Sequence, residues 1–312
     1  MSPRQIRGYY CEIIASRKDV RMKATEARLL DFLKRSQQFV IPIYQRTYSW
    51  TGQQCRQLWD DIIRAGKRDD ISAHFIGSVV YIEQGLYQVS GISPLLVIDG
   101  QQRLTTAMLL IEALSRHLGE DEVFDGFSAM KLRNYYLLNP YESGEKGFKL
   151  LLTETDKDSL LALIKQRPMP ENYSHRIMEN FTFFDEQITK LGDDLIPLCR
   201  GLAKLLIVDV ALNRGQDNPQ LIFESMNSTG KALSQADLVR NSILMGLEPE
   251  HQTRLYEDHW RPMEVAFGQQ GYSEYFDSFM RHYLTVKTGE IPRTDDCLLY
   301  TSPSPRDRSL SR

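Results

Sequence analysis

Residues 94–114 read PLLVIDGQQRLTTAMLLIEAL. Leu95, Leu96, Val97 and Ile98 form a short apolar run that reads as a buried strand, and the run stops at Asp99-Gly100. After the polar Gln101, Gln102 and Arg103, the residues Leu104, Met108, Ile111 and Leu114 recur at helical spacing, so a helix is expected to start near Leu104. A strand, a glycine turn and a helix N-terminus leave backbone N–H groups pointing outward at the positive end of the helix dipole, which suits an anion. Gly100 admits a close backbone approach, and Arg103 offers a planar fork suited to phosphate. Asp99 can hold a metal ion or a ribose hydroxyl, and Gln101 or Gln102 can orient a water. A plain strand-to-helix connector with solvated polar residues is the competing reading. The helix that follows is apolar on most sides, which sets the polar cluster at the mouth of a core.

Upstream, residues 74–83 (HFIGSVVYIE) are β-branched and aromatic and read as a strand, with residues 86–89 as its hairpin partner and 91–94 as a turn. Thr51 is a cap for a helix over 53–65 that buries Leu58, Ile62 and Trp59 or Ile63. Residues 38–44 read as a short strand broken by Pro42, which suits an edge or a strand end. Residues 25–34 read as an amphipathic helix, with Ala27, Leu30 and Leu33 on one side. Downstream of Phe124 the spacing turns helical, over 130–138, 157–165, 175–191 and 196–203, around a polar loop at 139–146 and a short strand at 148–152. Residues 204–212, KLLIVDVAL, read as a strand that returns to the sheet. A helix over 217–225 leads to a polar turn at Asn227-Ser228-Thr229-Gly230-Lys231, whose glycine spacing is not that of a Walker loop. Ser234 then caps a helix over 235–245, and two further helices are expected at 250–267 and 273–283.

The chain has 312 residues, 42% of them hydrophobic, with a formal net charge of -3. Basic residues concentrate at the ends: residues 1–21 carry +3 and 297–312 carry +2, which leaves -8 on the rest. An acidic body argues against broad nonspecific DNA affinity. No apolar run reaches membrane-spanning length and no signal-peptide pattern is present, so a cytoplasmic protein is expected. Cys11, Cys55, Cys199 and Cys297 lack metal-type spacing. The six histidines form no cluster of the kind an HNH-like nuclease needs. Residues 1–21 pattern poorly, so the natural start is expected at Met22. Residues 297–312 depart abruptly in composition and are set aside as a non-native tail.

The stretch VIDGQQRLTT resembles the signature of the ParB-like amino-terminal domain of GmrSD-type proteins, the modification-dependent restriction systems. Residues 41–50, IPIYQRTYSW, and residues 223–233, FESMNSTGKAL, with Asp237-Leu238-Val239-Arg240-Asn241 behind them, fit the same family in the same order. The resemblance implies an α+β fold of ParB/sulfiredoxin-like type: a small mixed sheet with helices over residues 22–123, then a mainly helical region over 124–296 that packs back on it and completes the pocket. It implies an NTP as substrate or ligand, with Mg2+. In that picture Asp99 is the metal residue and a catalytic one, beside Gln101, Gln102 and Arg103. Gln45, Arg46, Gly100, Thr105, Thr106, Asn227 and Thr229 are nucleotide-binding. Nucleotide hydrolysis is then coupled to cleavage of modified DNA by an HNH-like nuclease region, elsewhere in the full-length protein or in a partner chain. The other readings are a nucleotide- or DNA-binding switch without hydrolysis and, ranked last, a domain that cuts DNA itself.

Overall fold

The computed structural model describes residues 23–35, 37–83, 94–212, 222, 234–245, 247–289 and 291. The expected start at Met22, the hairpin partner at 86–89, the turn at 91–93, most of the helix at 217–225 and the tail at 297–312 lie outside these residues, as do Asn227, Thr229 and Lys231.

The architecture is mixed α+β. Six strands form one sheet in the order β1-β6-β3-β4-β2-β5. They are β1 Lys23–Arg28, β2 Gln38–Val40, β3 His74–Glu83, β4 Pro94–Asp99, β5 Leu150–Leu151 and β6 Leu205–Leu212. β6 runs parallel to β3 and antiparallel to β1, β4 runs antiparallel to β3, and β2 runs parallel to both β4 and β5. The returning strand read from KLLIVDVAL therefore lies inside the sheet, not at its edge.

Period-two alternation divides the strands between two apolar layers. Val79 and Tyr81 join Leu95, Val97, Phe39 and Ile207 in the main core. Val80 and Ile82 join Ile98, Val210 and Leu212 on the opposite face, where Met245 and Ile222 pack. The main core is covered by α1 Leu29–Lys34, α2 Gly52–Lys67, α3 Gln101–His117, α4 Ala129–Leu132, α5 Glu154–Ile164, α6 His175–Leu191 and α7 Ile196–Ala203. In α2 a capping box with Thr51 and Gln54 fixes the start. α2 and α7 approach closely because both present glycine: a Cβ on Gly66 would lie 1.7 Å from the Pro197 carbonyl oxygen, and one on Gly201 1.9 Å from that of Ile62. A smaller cluster links Tyr44 to α8 Gln235–Leu244, the π-turn Tyr256–Trp260 that follows α9 Pro249–Leu255, and α10 Arg261–Thr288, through Val239, Trp260 and Phe276.

Three expectations are corrected. Residues 25–34 are not one helix: Lys23–Arg28 is a strand whose pairing with β6 sets Ala27 opposite Ile207, and only Leu29–Lys34 is helical. Pairing with a distant strand overrides the local spacing here. The helix after Asp99 starts at Gln101, so Gln101, Gln102 and Arg103 form its first turn and not a linker before it. The two C-terminal helices are three segments, and α10 runs on past Tyr283 to Thr288 with a non-helical break at Gly268.

Candidate functional site

The site is built where β4 ends and α3 begins. Gly100 is the N-cap of α3 in a left-handed conformation (φ +100°), and no side chain caps the helix. A Cβ on Gly100 would meet the Ser78 carbonyl oxygen at 3.0 Å and Val79 at 3.1 Å, so glycine is needed both for the turn and for its seat against β3. Opposite it, Gly77 has φ +115° at a register shift in the β3–β6 ladder. That bulge gives Arg103 its place. The guanidinium lies so close over Gly77 that a Cβ there would be 3.0–3.1 Å from it. Arg103 Nη2 donates to the Ser78 carbonyl at 2.8 Å and to Asp99 Oδ2 at 2.8 Å, while the Ser78 hydroxyl reaches the same carboxylate oxygen at 3.4 Å. Arg103 Nε is buried without a partner. Asp99 and Arg103 thus form an (i, i+4) pair across the helix start, both about one-fifth exposed (21% and 23%).

Residues 44–50 lie along this pair and are held from several sides. Gln45 Nε2 donates to the Ile98 carbonyl at 2.8 Å, and Gln101 Nε2 to the Arg46 carbonyl at 2.8 Å. Gln102 Oε1 accepts from the Ser49 and Trp50 N–H groups at 2.8 and 3.1 Å, while its Nε2 is buried without a partner. Gln45 and Gln101 therefore use one side-chain nitrogen each on backbone, and Gln102 uses its oxygen. Asn180 on α6 donates to Tyr48 Oη at 3.0 Å and to the Trp50 carbonyl at 2.8 Å. Tyr48 Oη stands 2.6 Å from Thr106 Oγ1, which itself donates to the Gln102 carbonyl at 2.8 Å. Donor bookkeeping then orders the chain: Asn180 to Tyr48, Tyr48 to Thr106, Thr106 to Gln102. Burial holds the Tyr48 phenol well above its ordinary pKa, so it stays protonated. Asp156 on α5 accepts the Tyr48 N–H at 2.6 Å. Thr105 is fully buried and its hydroxyl has no partner.

Arg46 projects into the field of this group and of α8. Burial lowers its pKa, Asp237 and Asp99 raise it, and Arg240 lowers it. Arg240 is 1% exposed. Its Nε donates to the Tyr44 carbonyl at 2.9 Å, its Nη2 to Asp237 Oδ1 at 2.9 Å, and its Nη1 pairs with Glu264. The geometry therefore brings Gln45, Arg46, Asp99, Gly100, Gln101, Gln102, Arg103 and Thr106 together at one sheet end, with Thr105 one residue along the same helix.

Asp156, Asn180, Asp237 and Arg240 also converge here, and sequence reasoning did not name them as site residues. Asp237 and Arg240 carried a signal: opposite charges three apart on a helix that also buries Ala236, Val239 and Leu244. Asp156 and Asn180 carried none. Among the described residues, no group of three or more His, Cys, Asp or Glu side chains is arranged to hold a metal ion, and no helix is long and apolar enough to cross a membrane.

A comparison with curated proteins gives no match. The family described as GmrSD restriction endonuclease, N-terminal domain, matches residues 29–244, from the first residue of α1 to the last of α8. That span covers more than half of the chain and holds both the Asp99–Arg103 turn and the residues that clamp 44–50 against it, so the chain belongs to the GmrSD N-terminal-domain family of restriction endonucleases.

Proposed function

We propose that this site binds a nucleoside triphosphate and hydrolyses it, and that the cycle regulates cleavage of modified DNA by a nuclease region. The observation that carries the reading is the uncapped N-terminus of α3 with Arg103 folded over the bulge at Gly77 and Arg46 beside it. Two guanidinium groups and a helix N-terminus converge where three or four phosphate charges need neutralising. Positioning and electrostatics of this kind are most of what phosphoryl transfer asks of a protein.

Asp99 is a single carboxylate, and Mg2+ commonly uses one or two carboxylates with the phosphates supplying other ligands, so the residues present fit that ion. When bound, Mg2+ would offset charge on the phosphate oxygens. Asp99 would hold it from the protein side, exchanging its contact with Arg103 for the ion and freeing Arg103 for phosphate. Gln101 and Gln102 keep residues 46–50 in register with the helix start, and the spare Gln102 nitrogen can donate to a ligand. A non-hydrolysing switch is the second reading, favoured by the engagement of Gln45, Gln101 and Gln102 with backbone, which leaves no glutamine committed to a water.

The test is phosphate release from each of four NTPs with Mg2+, with Asp99→Asn as the control. The expected result is turnover with at least one NTP that falls on the order of a hundredfold in the variant. Unchanged turnover in the variant overturns the assignment of this turn. No turnover, with a non-hydrolysable analogue still bound, selects the switch.

A further inference from the structure

Asn241 on α8 is 2% exposed, and neither its Oδ1 nor its Nδ2 has a hydrogen-bond partner among the described residues. One unpaired buried polar atom is costly, and an amide with both ends unpaired is rare in a folded protein. Its neighbours fix its place. Asp237, Asn241 and Met245 follow one another at spacings of four along α8 and its C-cap, so they share one stripe. At one end of the stripe Asp237 holds Arg240, and its charge reaches Arg46. At the other end Met245 packs in the apolar layer of Val80 and Ile98. Ile98 precedes Asp99 on β4 and its carbonyl holds Gln45, while Val80 pairs with Asp99 across the sheet. Asn241 therefore stands between Arg46 and the sheet behind the Asp99-Gly100 turn.

The spare atoms at the start of α3 and on Asn241 differ in kind. On α3 the Gln102 nitrogen is a donor, as phosphate oxygens, which only accept, require. Asn241 has a spare acceptor beside its spare donor, so phosphate can satisfy only half of it. A nucleobase edge carries a donor next to an acceptor in one plane, the pattern that a carboxamide meets with two parallel hydrogen bonds. The apolar layer one turn along, where Met245 joins Val80 and Ile98, suits the faces of a flat ring. We infer that Asn241 binds the base of the nucleotide whose phosphates lie at the start of α3, by paired hydrogen bonds to a donor–acceptor edge. The inference rests on the nucleotide reading of the site and makes the base, beyond the triphosphate, part of what is recognised. The unpaired amide is then a cost to the empty protein that the ligand removes.

Calorimetric titration of the whole 312-residue chain with Mg2+ tests it. The ligands are inorganic triphosphate and the β,γ-imido analogues of ATP, GTP, CTP and UTP. The wild-type chain is expected to bind at least one analogue more tightly than inorganic triphosphate. Asn241→Leu is close in size and removes both amide atoms. It weakens that analogue by roughly tenfold to a hundredfold and leaves inorganic triphosphate within about twofold. It also raises the melting temperature of the empty protein by roughly 2–4 °C, because the unpaired amide is gone. The 2′-deoxy form of the analogue shows the same loss, which separates the base from the ribose. Four results overturn the inference and leave the nucleotide reading standing: an unchanged analogue affinity, inorganic triphosphate weakened equally, a loss confined to the form with the 2′-hydroxyl, or a fall in melting temperature. A wild-type chain that binds neither inorganic triphosphate nor any analogue overturns both.

Discussion

Arg240→Ala costs the fold roughly 3–5 kcal/mol, the range for breaking a buried ion pair by removing one partner. The side chain is 1% exposed and reaches three acceptors on three segments: the Tyr44 carbonyl, Asp237 and Glu264. Burial alone would lower its pKa, but Asp237, Tyr272, Glu264 and Tyr256 together raise it above the usual arginine value, so the charge is fully held. Alanine leaves the Asp237 and Glu264 carboxylates without their shared cation and the Tyr44 carbonyl without that donor. Urea unfolding followed by Trp260 fluorescence reads the effect, because that ring lies 6.0 Å from the guanidinium. Arg240→Lys is expected to recover only part of the loss, since an ammonium cannot present the planar fork to all three acceptors. A loss below about 1 kcal/mol, the size of an exposed pair, would show that Arg240 does not hold α8 and α10 to the segment at Tyr44.

The second large effect concerns Asp156. Burial pushes its carboxyl up to about 6, with the Ser174 hydroxyl and the Tyr48 N–H only partly opposing this. Its Oδ1 has no hydrogen-bond partner. A raised carboxylate pKa stabilises the fold at low pH and loses that contribution as pH rises through the folded value. The window therefore runs from below the ordinary value of 3.8 to above about 6. The difference corresponds to roughly 3 kcal/mol. Asp156→Asn keeps an oxygen for the Tyr48 N–H and cannot ionise. Its stability relative to wild type should rise by roughly 2–3 kcal/mol between about pH 4 and about pH 7.5, measured by denaturant titration at each pH. A pH-independent difference would mean that Asp156 does not ionise in that window. Asp156→Ala removes the acceptor as well, and is expected to be less stable than Asp156→Asn at every pH.

Local chemistry made part of this legible. The strand at His74–Glu83 and the capped helix after Thr51 were readable from β-branched density and from a cap, both properties of adjacent residues. So was the turn at Asp99-Gly100. Family resemblance, not periodicity, singled out Gln45 and Arg46. The chain at 25–28 was misread because Ala27 and its neighbours fit a helical stripe until β6 pairs with them, some 180 residues away in sequence. Arg103 was readable as an anion ligand, but its seat on Gly77 depends on a bulge between β3 and β6 that neither strand announces alone. Asp156 and Asn180 contact Tyr48 across 108 and 132 residues. An acidic residue near a helix start and an asparagine within a helix look locally like surface positions.

The strand order has a consequence for how the chain is made. β6 fills the space between β1 and β3, so β1 has no edge to join until residue 212 has been synthesised. At ~5–20 residues per second the first strand waits on the order of 10–40 s, with the Val79–Ile82 stretch of β3 lacking its neighbour on that side. Long-range pairing of this kind slows folding, and an open β-rich edge invites association with other nascent chains. Protection of that edge during synthesis, by a holding chaperone or by a pause just past β6, is therefore expected to govern how much of the protein reaches its native state.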